Sequence, residues 1–187
     1  MNFKTSLLLI ALLSFCSIIK GQNKKYSLAN FYKYETKLAY LTDSIFNTLS
    51  DRERVAQMII TSAGELGKSD EVVQKLVEDN LIGGVVYLKG TEQTHKKLIN
   101  NLNSISKNNK TISLINSMDA EPSLFNGRIM GTAKMIKSID IKTTEQCDSV
   151  VQVIDQKLIQ LGIHQNFAPV CDISPNNEAI KNRSFGS

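Results

Sequence analysis

The sequence predicts an α/β fold, the first half of a (β/α)8 TIM-type barrel, incomplete and preceded by a signal peptide. Three observations predict it. Short β-branched runs that are apolar on both faces alternate with single amphipathic helices, which calls for a parallel sheet covered by helices. The pair Gly83-Gly84 precedes its strand, whereas a doubly wound nucleotide fold places a glycine-rich turn directly after one. Polar residues stand where the strands end, Lys89 after Leu88, Asp119 after Met118 and Asp172 after Cys171, and in a barrel the functional loops follow those ends.

The chain divides into residues 1–21, a signal peptide; 22–48, a leader; and 49–187, the barrel half. In the first segment Lys4 precedes an apolar run from Ser6 to Ile19, shorter than the roughly 18 residues wanted for a span, and Lys20-Gly21 returns to polar sequence. Phe15 stands where a lipoprotein signal carries a small residue before the cysteine, so Cys16 is not read as a lipid anchor. The expected product is exported, periplasmic or secreted, with no stable membrane insertion once the signal is cleaved. The leader places Phe31, Tyr34, Leu38 and Leu41 at helical spacing, read as core packing.

Within the barrel half, Ser50 and Glu53 form a capping box that starts a helix. The run Val55 to Ile60 continues that helix or begins a strand, since periodicity does not separate the two over so short a stretch. Ser69 opens a helix with Val72, Val73, Leu76 and Val77 on one face, and Val85 to Leu88 reads as a strand. Thr91 starts the next helix, striped by His95, Leu98, Leu102 and Ile105, and Ile112 to Asp119 is the strand after it. Thr143 and Gln146 cap a longer helix carrying Cys147, Val150, Val151, Ile154, Leu158 and Leu161, closed by Gly162. Phe167 to Cys171 is read as a further strand, with Asp172 beyond it.

Composition excludes several function classes. A formal charge of +4, with no block of like charges, is not a nucleic-acid footprint, and removal of Lys4 and Lys20 with the signal leaves +2. No CxxC, HExxH or His/Cys cluster occurs, so no metal and no cofactor are expected. Cys147 and Cys171 are read as two buried thiols rather than a disulfide, although export would permit one.

The strand ends suggest sugar chemistry. Met118-Asp119-Ala120-Glu121-Pro122 sets two carboxylates where a strand gives way to a loop, and a carboxylate can accept from two sugar hydroxyls through charge-assisted hydrogen bonds. The rigid guanidinium fork of Arg183 would donate to ring hydroxyls or a carbonyl and fix orientation.

These stretches resemble the family 3 glycoside hydrolases. Ser50 to Met58, Ile82 to Gly90, Met118 to Pro122, Leu161 to Val170 and Asn182-Arg183-Ser184-Phe185-Gly186 occur in that family's order and rough spacing, most like its bacterial β-N-acetylhexosaminidases. The resemblance implies that Asp119 and Arg183 bind the terminal sugar. A second family arginine stands eight residues after the aspartate, a position that is Gly127 here, so Arg128 is the candidate to replace it or the subsite is altered. Asp172 and Lys89 are supporting residues, Asp172 by holding the loop or Arg183.

The implied activity is a glycosidase that releases terminal β-linked N-acetylhexosamine, N-acetylglucosamine in particular, by a retaining mechanism. The partner is then a carbohydrate, with peptidoglycan, chitin and glycans all open as its source. Such a mechanism needs a nucleophile and an acid/base group. The family's segments for both lie past Asn-Arg-Ser-Phe-Gly, so no catalytic residue is expected in this chain, which is read as a truncated, inactive sugar-binding part. A closed barrel commonly takes about 250 residues. The alternatives are a non-catalytic secreted carbohydrate-binding protein and a β-glucosidase of the same family.

Overall fold

The computed structural model describes residues 32–173, 178–180 and 183–185. The signal segment and Phe31 lie outside them. The chain forms two units, 1–45 and 46–187.

In the leader, helix α1 (Thr36–Thr48) forms as the spacing predicts, but it buries nothing. Tyr34, Leu38 and Leu41 are all exposed, which corrects their reading as core: helical spacing establishes that residues share a face, not that anything covers it.

Helix α2 (Asp51–Ala56) starts at the predicted box. The Glu53 N–H donates to the Ser50 hydroxyl, and the Glu53 carboxylate accepts from the Ser50 N–H at 2.8 Å. The helix ends at Ala56 and strand β1 (Ile60–Ala63) follows, so the ambiguous run gives its first two residues to the helix and its last to the strand, with a turn between. Helix α3 (Asp70–Glu78), capped by Ser69, buries Val73 and Val77 and leaves Val72 exposed. Strands β2 (Gly84–Tyr87) and β3 (Gly90–Thr91) lead into α4 (Glu92–Asn108), which buries His95, Leu98, Ile99 and Leu102. Strand β4 (Ile115–Met118) is followed by a short turn, α5 (Phe125–Arg128), and by β5 (Ile129–Met130). Helix α6 (Thr144–Leu161) has the predicted Thr143–Gln146 box and ends at Gly162, whose φ of 80° suits a residue without a side chain. It buries Val150, Ile154, Leu158 and Leu161 and leaves Val151 exposed.

The last described strand, β6 (Gln165–Asn166), lies upstream of the predicted Phe167–Cys171 run. The Phe167 N–H still donates to the Met118 carbonyl at 2.9 Å. Pro169 has no N–H to carry a ladder further, so the apolar run continues as loop. Cys171, in that loop, is exposed and Cys147 is half-buried, and both are free thiols, which corrects the expectation that both are buried.

Strands β1, β2, β4 and β6 form one parallel sheet in that order, with Ala63, Tyr87 and Met118 in register and Asn166 beside Met118. Parallel pairing puts the C-terminal ends of β1, β2 and β4 on one edge, as the barrel reading requires. Val85, Tyr87 and Met118 join residues of α3, α4 and α6 in a single core. A second, two-stranded parallel sheet, β3 with β5, was not foreseen: two-residue strands leave no periodicity to read.

Candidate functional site

The chain leaves β4 through Asp119-Ala120-Glu121, and β6 grips the middle of that tripeptide. The Asn166 Oδ1 accepts from the Ala120 N–H at 3.0 Å and its Nδ2 donates to the Ala120 carbonyl at 3.4 Å. With Ala120 pinned, its two acidic neighbours are held in place. The chain then turns back: the Glu121 carbonyl accepts from the N–H groups of Leu124 and Phe125, and the Leu124 carbonyl from those of Gly127 and Arg128. Phe125, almost wholly buried, anchors the turn. Asn126 ties the following segment to it by donating to Thr132 and Ala133 and accepting from the Met135 N–H.

This turn returns Arg128 to Asp119. Its Nη2 lies 3.0 Å from Asp119 Oδ2, and its Nε donates to the Asp119 carbonyl at 3.1 Å. At the neighbouring position, Gly127, a Cβ would meet no atom within 4 Å, so the backbone there points its substituent into open space. One residue along a helical turn rotates a side chain by about 100°. Of the two neighbouring positions it is 128, not 127, that carries a guanidinium onto Asp119.

Arg183 approaches from the far end of the chain. Its Nη2 is 3.9 Å from the same Asp119 Oδ2, and its Nε donates to Glu121 Oε1. Asp119 thus receives both guanidinium groups on one oxygen, and its Oδ1 has no protein partner among the described residues. The Asp119, Arg128 and Arg183 side chains are 25%, 15% and 30% exposed, so they are open to a ligand and only partly screened.

Glu121 is different in kind. Its side chain is 1% exposed and its Oε2 is buried without a partner. Burial pushes its carboxyl above the ordinary range, and the Arg183 bond and charge offset only part of that rise. It supports Arg183 from beneath.

The two supporting candidates divide. The hydroxyl of Ser184 donates to the Asp172 carbonyl at 2.7 Å, so Asp172 ties down the loop beside Arg183 through its backbone. Lys89 pairs instead with Glu65 at 2.7 Å, joining the loops after β1 and β2, and no ion pair links it to Asp119. Strand-end position alone did not distinguish these two partners. Asn166 was not among the candidates, and Glu121 was read only as the second carboxylate beside Asp119, with no role of its own; the signal for Asn166 was a polar side chain inside a motif otherwise read for its apolar neighbours.

An apolar cavity of about 310 Å³ lies between α6 and the loop after β6, lined by Val150, Val151, Ile154, Pro169 and Phe185. It lacks the paired acid and guanidinium groups that hydroxyl recognition requires, and the Asp119 cluster is the better candidate. Among the described residues no group of three or more His, Cys, Asp or Glu is placed to hold a metal ion, and none of their helices is long and apolar enough to cross a membrane.

Comparison with solved structures gives the arrangement its context. A glycoside hydrolase family 3 β-N-acetylglucosaminidase from Paenibacillus sp. strain FPU-7 is 26% identical over 74% of this chain, with a TM-score of 0.63. The β-glucoside phosphorylase BglX bound to 2FGlc is 20% identical over 83% of the chain, with a TM-score of 0.68. An exo-1,3/1,4-β-glucanase from a Pseudoalteromonas species is 16% identical over 82%, with a TM-score of 0.59. The chain spans 28% of the length of each of the first two and 20% of the third. A search of curated proteins finds no match. The model of the glycosyl hydrolase family 3 N-terminal domain matches residues 50–187, most of the sequence, and the chain belongs to that family.

Proposed function

We propose that this chain supplies the part of a retaining β-N-acetylhexosaminidase that grips the terminal sugar, with Asp119, Arg128 and Arg183 as its binding residues. The observation that carries the reading is the convergence of both guanidinium groups on Asp119 at the end of β4. Held between two cations, the carboxylate accepts from sugar hydroxyls, while the outer guanidinium N–H groups donate to ring oxygens or a carbonyl. No nucleophile or acid/base is assigned among these residues. In this reading residues 49–187 are the opening strands of a (β/α)8 barrel, and residues 1–21 direct export.

The 26% identity to a β-N-acetylglucosaminidase supports an N-acetylated sugar. A second reading is a β-glucosidase of the same family; the likenesses to a β-glucoside phosphorylase and a β-glucanase, at 20% and 16% identity, speak for fold alone. Titration of the purified chain with N-acetylglucosamine and with glucose, followed by NMR, separates them. N-Acetylglucosamine is expected to bind more tightly, and Asp119→Ala to weaken it at least about tenfold, the value of one charge-assisted hydrogen bond. Tighter glucose binding would move the assignment to a β-glucoside. Binding that survives both Asp119→Ala and Arg183→Ala would remove the sugar grip from this cluster.

A further inference from the structure

His95 occupies an unusual place for a buried histidine. It is 2% exposed, on the face of α4 that carries Leu98 and Leu102, and its ring meets Tyr87 edge to face with centroids 5.9 Å apart. Core packing would account for that much. Its Nε2, however, lies 2.8 Å from the carbonyl oxygen of Arg128. A carbonyl only accepts, so Nε2 carries the hydrogen and donates.

Two further features converge on this bond. Gly90 lies against the imidazole: a Cβ there would come within 2.8 Å of His95 Cε1, so the ring occupies the space a side chain would need. Gly90 is also paired with Ile129, the residue after Arg128, in the β3–β5 sheet. Arg128 is thus held on both sides along its backbone, at its own carbonyl by His95 and at the next residue by β3, while its guanidinium spans Asp119.

We propose that His95 is a positioning residue for the sugar site, fixing the backbone of Arg128 so that this arginine presents its guanidinium to Asp119. In this role the ring acts through the Arg128 carbonyl and contacts no sugar. The inference rests on the reading of Asp119 and Arg128 as sugar-binding residues. It accounts for how an arginine one place beyond Gly127 comes to serve the site.

The test compares His95→Phe, which keeps an aromatic ring against Tyr87 but has no donor, with His95→Gln, which restores an N–H. For the purified chain, N-acetylglucosamine affinity, melting temperature and the exchange rate of the Arg128 Nε–H are measured. His95→Phe is expected to melt near the parent and to bind the sugar about tenfold more weakly, with His95→Gln recovering part of the loss. Added to Arg128→Ala, His95→Phe is expected to cost no further affinity, because its effect runs through the arginine.

Unchanged affinity in a folded His95→Phe overturns the proposal, as does an equal further loss in the Arg128→Ala background. Should His95→Phe fail to fold, His95→Met against His95→Gln makes the same comparison. If the parent chain binds neither sugar, the functional reading fails separately and the arginine signal decides. Faster Arg128 Nε–H exchange in His95→Phe then supports the positioning role, and an unchanged rate overturns it.

Discussion

Two carboxylates two positions apart, Asp119 and Glu121, receive the same arginine and have different roles because burial treats them differently. Asp119 is partly open and faces both guanidinium groups; Glu121 is enclosed, with one oxygen bonded to Arg183 and the other unpartnered. An enclosed carboxylate resists ionisation unless a charge compensates it, and Arg183 does so only in part. Arg183→Ala is therefore expected to raise the Glu121 carboxyl further, which a carbon-detected NMR titration of that side chain would show; an unchanged titration would mean that the pair does not form in solution. The sign for stability follows from linkage. A carboxyl raised in the folded state favours folding below its ordinary value of 4.5, and that contribution is lost as pH rises through the folded value. Glu121→Gln stays neutral and escapes the loss, so in urea melts its stability relative to the parent should improve as pH rises across that window, by at most about 1.4 kcal/mol per unit.

Helices were the most legible elements, because their ends are local chemistry. Ser50, Ser69, Thr91 and Thr143 each cap the helix that the sequence predicts, and three of the four close a reciprocal box. The Gln146 N–H donates to the Thr143 hydroxyl at 3.2 Å and the Gln146 side chain accepts from the Thr143 N–H at 3.3 Å. Thr143→Ala removes that hydroxyl and should cost about 1 kcal/mol in denaturant melts, and Thr143→Ser should recover most of it. Strand limits were less legible: β6 falls short of the apolar run around Pro169, since ladder hydrogen bonding, not hydropathy, ends a strand. The site was half legible. Asp119 and Arg183 announce themselves at a strand end and in a polar motif. That Arg128 meets Asp119 depends on the turn through α5, and that Lys89 goes to Glu65 depends on which loops are neighbours, and neither follows from spacing. His95 read as one residue of an apolar stripe; its bond to Arg128 spans 33 positions of sequence.

In the 46–187 unit, helices cover one face of the sheet more fully than the other. Val85, Tyr87 and Met118 are buried in the helix-packed core, while Ile60 and Ile115 are 40% and 46% exposed. These two residues pair in register with Gly84 from either side, and the Ile60 side chain would lie 3.1 Å from a Cβ on that glycine. An apolar row on a sheet face with a glycine at its centre is a surface on which hydrophobic dyes and other chains gather. The purified chain should accordingly enhance the fluorescence of an anionic naphthalene dye, and Ile60→Thr with Ile115→Thr should lower that signal by roughly half or more. Threonine keeps the β-branch that suits a strand, so the sheet itself should persist in circular dichroism. Val151→Ser, which opens no strand but makes the cavity beside α6 more polar, provides the contrast. A dye signal that follows Val151 and ignores the two isoleucines would place the sticky surface at the cavity and leave this sheet face inert.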